Sequence, residues 1–336
     1  MKRIFSITLA VLAAVCLFRA SQLLNTAHAQ TGQRGQGVSQ HRINADGADS
    51  NDSDSSGAPE TNPPGRVAAS PTTGGTGTVT PAITYHGGAL IQTPAIYIIW
   101  YGNWNQSNGS DTPAGQQIIR DWANTIGGSP YFNLNTTYSA GGYTVTGSVN
   151  FGGETTDTGS QGTRLTDTKV FSVVTNAINT GKLPYDANGV YFVVSSSNVS
   201  ESSGFCSTYC GWHTAGNNTN GARIRYSFVG NANRCLSACA AQTTSPNSNA
   251  GVDGSISVMA HELEEATTDP DPFSGWVDSN NSENGDKCAW TFGHFQYQVA
   301  NGSWANIHLG TRDYLIQRDL QHNVSGDLCM MDSTHN

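Results

Sequence analysis

Charge is scarce in this chain of 336 residues. Asp, Glu, Lys and Arg together make up 12% of it, and acids outnumber bases 25 to 16, for a formal charge of −9. So few cations leave no basic footprint for nucleic acid or for an anionic membrane surface. Beyond the N-terminus no apolar stretch approaches membrane-spanning length, so no membrane span is expected there. There is no Gly-x-Ser-x-Gly elbow and no cysteine expected to stay free, so nucleophilic catalysis has no sequence support. Residues 30–80 contain no aromatic side chain and few aliphatics, but many Gly, Ser, Thr, Asn, Asp and Pro. Such a segment cannot bury enough apolar surface to offset its ordering entropy, and it reads as a disordered spacer.

What is present begins with an export signal. Lys2 and Arg3 precede an apolar run from Ile4 to Phe18, and Ala27-His28-Ala29 comes just before Gln30. This is the layout of a secretory signal peptide, residues 1–29, cleaved after Ala29. Its loss removes Lys2, Arg3 and Arg19 and no acid, so the exported chain is more acidic still. Six cysteines remain: Cys206, Cys210, Cys235, Cys239, Cys288 and Cys329. An even number in an exported chain implies a disulfide framework. We expect Cys288 to pair with Cys329, stapling the C-terminal part. The equal gaps Cys206–Cys210 and Cys235–Cys239 leave a four-thiolate zinc site as the alternative for the other four.

One domain, residues 81–336, follows the spacer. Ala95 to Tyr101 reads as a buried strand, Tyr143 to Phe151 as an alternating one, and Gly189 to Val194 and Ile224 to Val229 as two more. Pro113 to Ile126 and Thr166 to Thr180 carry apolar residues at helical spacing. Short strands are expected over Phe295 to Val299, Trp304 to Leu309 and Tyr314 to Gln317. The fold class is therefore α+β: a single domain with a mixed sheet and helices. Strands and helices that lead to a metal-binding helix follow the element order of zincin-type catalytic domains, so a zincin-like domain is expected.

That helix carries the most informative stretch, His261-Glu262-Leu263-Glu264-Glu265. Asp253 or Ser255 can cap its start and Pro270 ends it. Ile256, Met259, Leu263 and Ala266 form an apolar stripe, and at about 100° per residue His261, Glu265 and Asp269 share the other side. A polar face opposite an apolar stripe is also what any surface helix shows. An imidazole and a carboxylate four residues apart can, however, share one cation. The layout is that of the His-Glu-x-x-His zinc hydrolases with the second His replaced by Glu, an accepted zinc ligand. Glu262 then stands where a general base is needed. Zinc needs three or four protein donors, and Glu283 and Asp286 downstream can complete the set. Asp269, two turns from His261, is expected to orient a ligand or cap the next loop. One imidazole among carboxylates is a hard donor set, so calcium or manganese are alternatives to zinc. His86 and His213 read as structural histidines.

At Tyr85-His86-Gly87-Gly88 and Ile98-Ile99-Trp100-Tyr101-Gly102 the chain resembles the Exordium, or phosphate-induced protein, family. The likeness continues through Gly204-Phe205-Cys206, Cys210-Gly211, Val229-Gly230-Asn231, Cys235, Cys239 and Asp253-Gly254, and covers roughly Tyr85 to Cys329. It implies a secreted protein, since the plant members look like cell-wall or apoplastic proteins linked to growth and nutrient signalling. It brings no established catalytic activity. At His261 the chain departs from the plant pattern and looks like microbial members carrying His-Glu-x-x-Glu-Ala, Thr-Asp-Pro, then Trp, Asp, Glu and Gly-Asp-x-Cys. Those residues here are His261, Glu262, Glu265, Ala266, Thr268-Asp269-Pro270, Trp276, Asp278, Glu283 and Gly285-Asp286-Lys287-Cys288.

Two functions are therefore expected. In the first, His261, Glu265, Glu283 and Asp286 hold zinc in a secreted hydrolase, with Glu262 as base and a peptide or cell-wall-derived substrate. In the second, the same residues hold a structural ion in a non-catalytic extracellular binding protein.

Overall fold

A computed structural model of the chain describes residues 71–336; the expected signal peptide and residues 30–70 of the expected spacer lie outside the described residues. Five strands form the central sheet: β1 (Ala95–Tyr101), β2 (Asn150–Asp157), β3 (Gly189–Ser195), β4 (Gly211–Asn217) and β5 (Arg223–Gly230). Their spatial order is β2-β1-β3-β5-β4. The first four run parallel, and β4 closes one edge antiparallel to β5. Every residue of β1 and β3 is buried, as expected of central parallel strands covered on both faces.

Three helices cover the sheet: α1 (Pro113–Thr125), α2 (Asp167–Asn179) and α3 (Ala250–Thr268). Local chemistry starts each one. Thr112 Oγ1 accepts from the Gly115 N–H at 3.0 Å with Pro113 in the first turn, and Thr166 Oγ1 accepts from Lys169 at 3.3 Å. Asn249 Oδ1 accepts from Val252 at 3.2 Å, so α3 begins a turn before the expected caps Asp253 and Ser255. A Cβ at Gly216 would meet the ring of Phe171 on α2, and one at Gly211 would meet Val258 on α3. An odd separation along β4 puts these two helices on opposite faces of the sheet. Helix α1 packs beside α3.

Helix α3 is not a surface helix. Its residues 251–268 are all buried, polar side as well as apolar stripe, because later segments close over the side away from the sheet. Other expectations are corrected more locally. The run from Tyr143 to Phe151 splits into a two-residue strand and the start of β2, which extends to Asp157. Only Tyr297–Gln298 of the Phe295 segment is a strand, and Trp304 to Leu309 breaks into two pieces at Asn306. The last expected strand lies earlier, at Arg312–Tyr314, while Ile316 and Gln317 bond instead to the side chains of Asn306 and Ser257.

Residues 71–80 belong to the fold and not to a spacer. The carbonyls of Thr72 and Thr73 accept from Phe292 and Gly293 at 2.8 and 3.0 Å, that of Gly75 accepts from Arg318 at 2.9 Å, and the Val79 N–H donates to Asp327 at 2.8 Å. Backbone pairing of this kind needs no apolar side chains, which is why composition does not reveal it.

All six cysteines are oxidised, as Cys206–Cys235, Cys210–Cys239 and Cys288–Cys329. The third is the expected staple; the first two exclude the four-thiolate zinc site. Among the described residues no helix is long and apolar enough to cross a membrane. Replacing Cys288 and Cys329 together by Ala should lower the unfolding free energy by about 3–4 kcal/mol, the value for a loop of this length. Denaturant unfolding of the double variant measures this, and a loss near zero would show that the staple is dispensable.

Candidate metal centre

Three segments meet where α3 passes under the edge strand β4. Helix α3 supplies His261, Glu262 and Glu265; β4 supplies His213. The segment after α3 supplies Glu283 and the 3-10 turn Asp286–Cys288. Two devices fix that turn: the Cys288–Cys329 disulfide, and a buried ion pair from Lys287 Nζ to Asp278 at 2.5 Å. Asp269 accepts backbone N–H groups from Phe273, Ser274 and Gly275, so it caps the connecting loop.

Glycine lets the backbones come close enough. A Cβ on Gly285 would stand 3.0 Å from the His261 ring and 3.1 Å from Glu265 Oε1, so any larger residue would have to push those groups back by a few tenths of an ångström. A Cβ on Gly211 would stand 2.5 Å from Val258 and 3.2 Å from Glu262 Oε1. Gly211 and His213 share the face of β4 that looks onto α3.

Glu265 lies between the two imidazoles. Its Oε1 is 2.8 Å from His261 Nε2 and accepts from the Asp286 N–H at 3.0 Å; its Oε2 is 3.7 Å from His213 Nε2. Asp286 Oδ1 is 3.8 Å from His261 Nε2, and Glu283 Oε1 is 3.0 Å from His213 Nε2. Two sets of donors thus form, His261–Glu265–Asp286 and His213–Glu265–Glu283, with the ligand atoms of each set all within 4.8 Å of one another. The expected ligands His261, Glu265, Glu283 and Asp286 do converge, but Glu283 faces His213 and not His261. Glu262 is in neither set. His86 is exposed, bonded to Thr84 at 3.1 Å, and has no part in the cluster.

His213 is the residue that the sequence reading missed. Gly-Trp-His-Thr-Ala-Gly lacks the β-branched runs that mark a strand. The available signal was the alternation of small residues, Gly211 and Ala215, with His213 on one face, which leaves room for a helix to approach.

The donors are deeply buried. His213 and His261 are 1% exposed, Glu265 and Glu283 0%, and only Asp286, with 11% of its side chain exposed, reaches solvent. Burial, then the charges of Asp286, Glu283 and Glu262, push the Glu265 carboxyl well above the usual carboxylate range. Burial, then Asp269 and Asp286, does the same to Glu283. Burial lowers His213 to about 4 and keeps it neutral. At His261 burial acts downward too, but Asp286 and Glu262 outweigh it and the net shift is upward.

These groups fit a cation. Glu265 Oε2, Glu283 Oε2 and His261 Nε2 have no hydrogen-bond partner, so the 2.8 Å approach of His261 to Glu265 is a contact and not a proper hydrogen bond. Unpaired buried acceptors cost about 1–3 kcal/mol each, a cost that coordination to a divalent cation would relieve. One usual feature is missing: neither His213 Nδ1 nor His261 Nδ1 has the acceptor that commonly orients a metal-bound imidazole.

Residues 83–312 match the family described as phosphate-induced protein 1 conserved region, and the chain belongs to that family. It is 29% identical to Protein EXORDIUM-like 3 of Arabidopsis thaliana over 283 residues, covering 72% of this chain and 81% of that protein. It is also 29% identical to Protein EXORDIUM-like 5 of the same plant over 244 residues, covering 63% of this chain and 65% of that protein. No solved structure matches the chain.

Raised carboxyl pKa values set a sign for stability. With cations chelated, folded Glu265 and Glu283 hold protons that the unfolded chain gives up near pH 4.3, so stability should fall as pH rises toward the folded values. His213 acts in the opposite direction between about 4 and 6.5, so the fall is read above that window. Thermal melts in chelator from about pH 6.5 to 8 should show a decreasing Tm, and added zinc should flatten it. A chelated protein whose Tm rises across that range would contradict the assignment.

Proposed function

We propose that this member of the family is an exported, metal-dependent hydrolase of peptide-like bonds, with zinc as its ion and manganese or calcium as alternatives. The observation that carries the reading is the set of buried, unpaired donors around Glu265. A set of three protein donors is the pattern of catalytic zinc, whereas structural zinc takes four. The partly exposed Asp286 marks the side from which substrate would arrive. Three disulfides support an oxidising compartment. The helix lying beneath an antiparallel edge strand supports a zincin-like reading of the fold.

When bound, the ion supplies Lewis acidity that makes water ionise near neutral pH. His261, Glu265 and Asp286 would hold it. Glu262, buried one residue from His261, has no place among the donors, and its burial is costly for a site that is only structural. As general base its carboxylate takes a proton from the attacking water and returns it to the leaving nitrogen. His213, kept neutral by burial, pairs through Nε2 with Glu283 Oε1 at 3.0 Å beside this set.

A second reading, a closed structural ion in an extracellular binding protein, is favoured by the 0–1% exposure of His213, His261, Glu265 and Glu283. Two variants separate the readings. Glu262→Gln should keep bound zinc and lower peptide hydrolysis by at least about 100-fold, as measured on a broad peptide library. His261→Ala should bind less zinc than the wild type by elemental analysis and unfold more readily. Zinc retained by the wild type without any turnover would leave the structural reading, and wild type purified zinc-free from zinc-replete medium would defeat both.

A further inference from the structure

Glu265 is the one residue common to both sets of donors, and it enters each through a different oxygen. Oε1 lies 2.8 Å from His261 Nε2, and Oε2 lies 3.7 Å from His213 Nε2. Each set also has a carboxylate of its own, Asp286 beside His261 and Glu283 beside His213. We propose that the centre binds two divalent cations, one in each set, bridged by the carboxylate of Glu265. This rests on reading the cluster as a metal centre and adds a second ion with its own histidine.

Geometry favours two ions over one. Donors that share a single zinc ion, with bonds of about 2.0–2.1 Å, stand at most about 4.2 Å apart. Among the described residues, no group of three donors containing both imidazoles fits even within 4.8 Å. One ion can therefore serve either histidine with Glu265, but not both together. A carboxylate with one oxygen directed at each of two imidazoles matches a bridge, and bridged pairs in hydrolytic centres lie about 3.5–4 Å apart.

Buried polarity points the same way. An ion in the His261 set alone leaves Glu265 Oε2 and Glu283 Oε2 without partners, in a place where neither residue is exposed. A second ion in the His213 set takes up both. Glu265, Glu283 and Asp286 bring three negative charges and Glu262 beside them a fourth, which two divalent ions balance. Imidazole with carboxylate suits zinc and manganese in both positions.

Stoichiometry tests this directly on the full exported protein. Zinc titration by calorimetry, with elemental analysis after desalting, should give about two equivalents. His213→Ala and Glu283→Gln should each leave about one, His261→Ala should leave about one, and Glu265→Gln should weaken both. Since a variant can fail to fold, the wild type loaded with Mn2+ supplies a readout that needs no substitution. Its electron paramagnetic resonance should show the broadened, exchange-coupled spectrum of a manganese pair. One equivalent of zinc, unchanged in His213→Ala, together with an isolated-ion manganese spectrum, overturns the second ion and leaves the first standing. No bound metal in the wild type overturns the centre as a whole.

Discussion

A helix buried along its whole length and carrying four acids is the constraint around which this fold is arranged. Asp253, Glu262, Glu264 and Glu265 all lie on α3, and each is at most 6% exposed. Among the described residues no lysine or arginine pairs with Asp253, Glu264 or Glu265, so other groups must compensate the desolvation. Asp253 takes the Ser245 hydroxyl at 2.6 Å and the Asn247 backbone and amide at 3.0 and 2.7 Å. Glu264 takes the Asn135 amide from the 3-10 helix Phe132–Thr137. Neutral dipoles serve both oxygens of Asp253 and one oxygen of Glu264. Glu265 has a single backbone N–H and differs from Glu264 in facing two imidazoles, an arrangement that suits a cation.

The same constraint explains the positions of distant segments. Asn135 comes from before the second strand, His213 from the sheet edge, and Asp286 from beyond the helix. Each reaches α3 through a backbone with room to approach, as Gly211 and Gly285 show. Strand β4 pairs with β5 alone, yet its residues are buried up to Gly216, because α3 lies against one face and Phe171 of α2 against the other. A His in a strand so enclosed is oriented by packing, which substitutes for the missing acceptor at Nδ1.

Much of the scaffold was legible in the sequence because its determinants are local. The apolar runs of β1 and β3, the helical spacing of α1 and α2, and Pro270 after α3 act within a few residues. His261 and Glu265 were legible for the same reason, since helix periodicity alone puts them on one face. Strand β4 was not, because its stability comes from seven pairings with β5 and from burial, not from propensity. Hence His213 passed for a structural histidine. Residues 71–80 were misread because their order comes from backbone bonds to segments more than two hundred residues away. Glu283 and Asp286 could be nominated as carboxylates downstream of the helix, but the histidine each one faces is decided by the turn between them, where Gly285 passes the His261 ring.

That turn also links the redox state of the chain to its candidate chemistry. Asp286, Lys287 and Cys288 form one 3-10 turn, so the donor, the buried cation paired with Asp278 and the disulfide are consecutive. Their roles are separable: the Cys288–Cys329 bond limits how far the turn can move, the Lys287–Asp278 pair sets its rotation, and the Asp286 N–H holds Glu265 Oε1 at 3.0 Å. A carboxylate reached by a backbone donor from the same turn that supplies the next carboxylate is positioned twice, once by its helix and once by its neighbour. Such preorganisation matters most where like charges are brought together, because it is supplied by folding and not by the ion. The cluster is therefore built to hold its acids close before any cation arrives, and the burial that raises the Glu265 and Glu283 carboxyls acts on the same groups that a cation would neutralise.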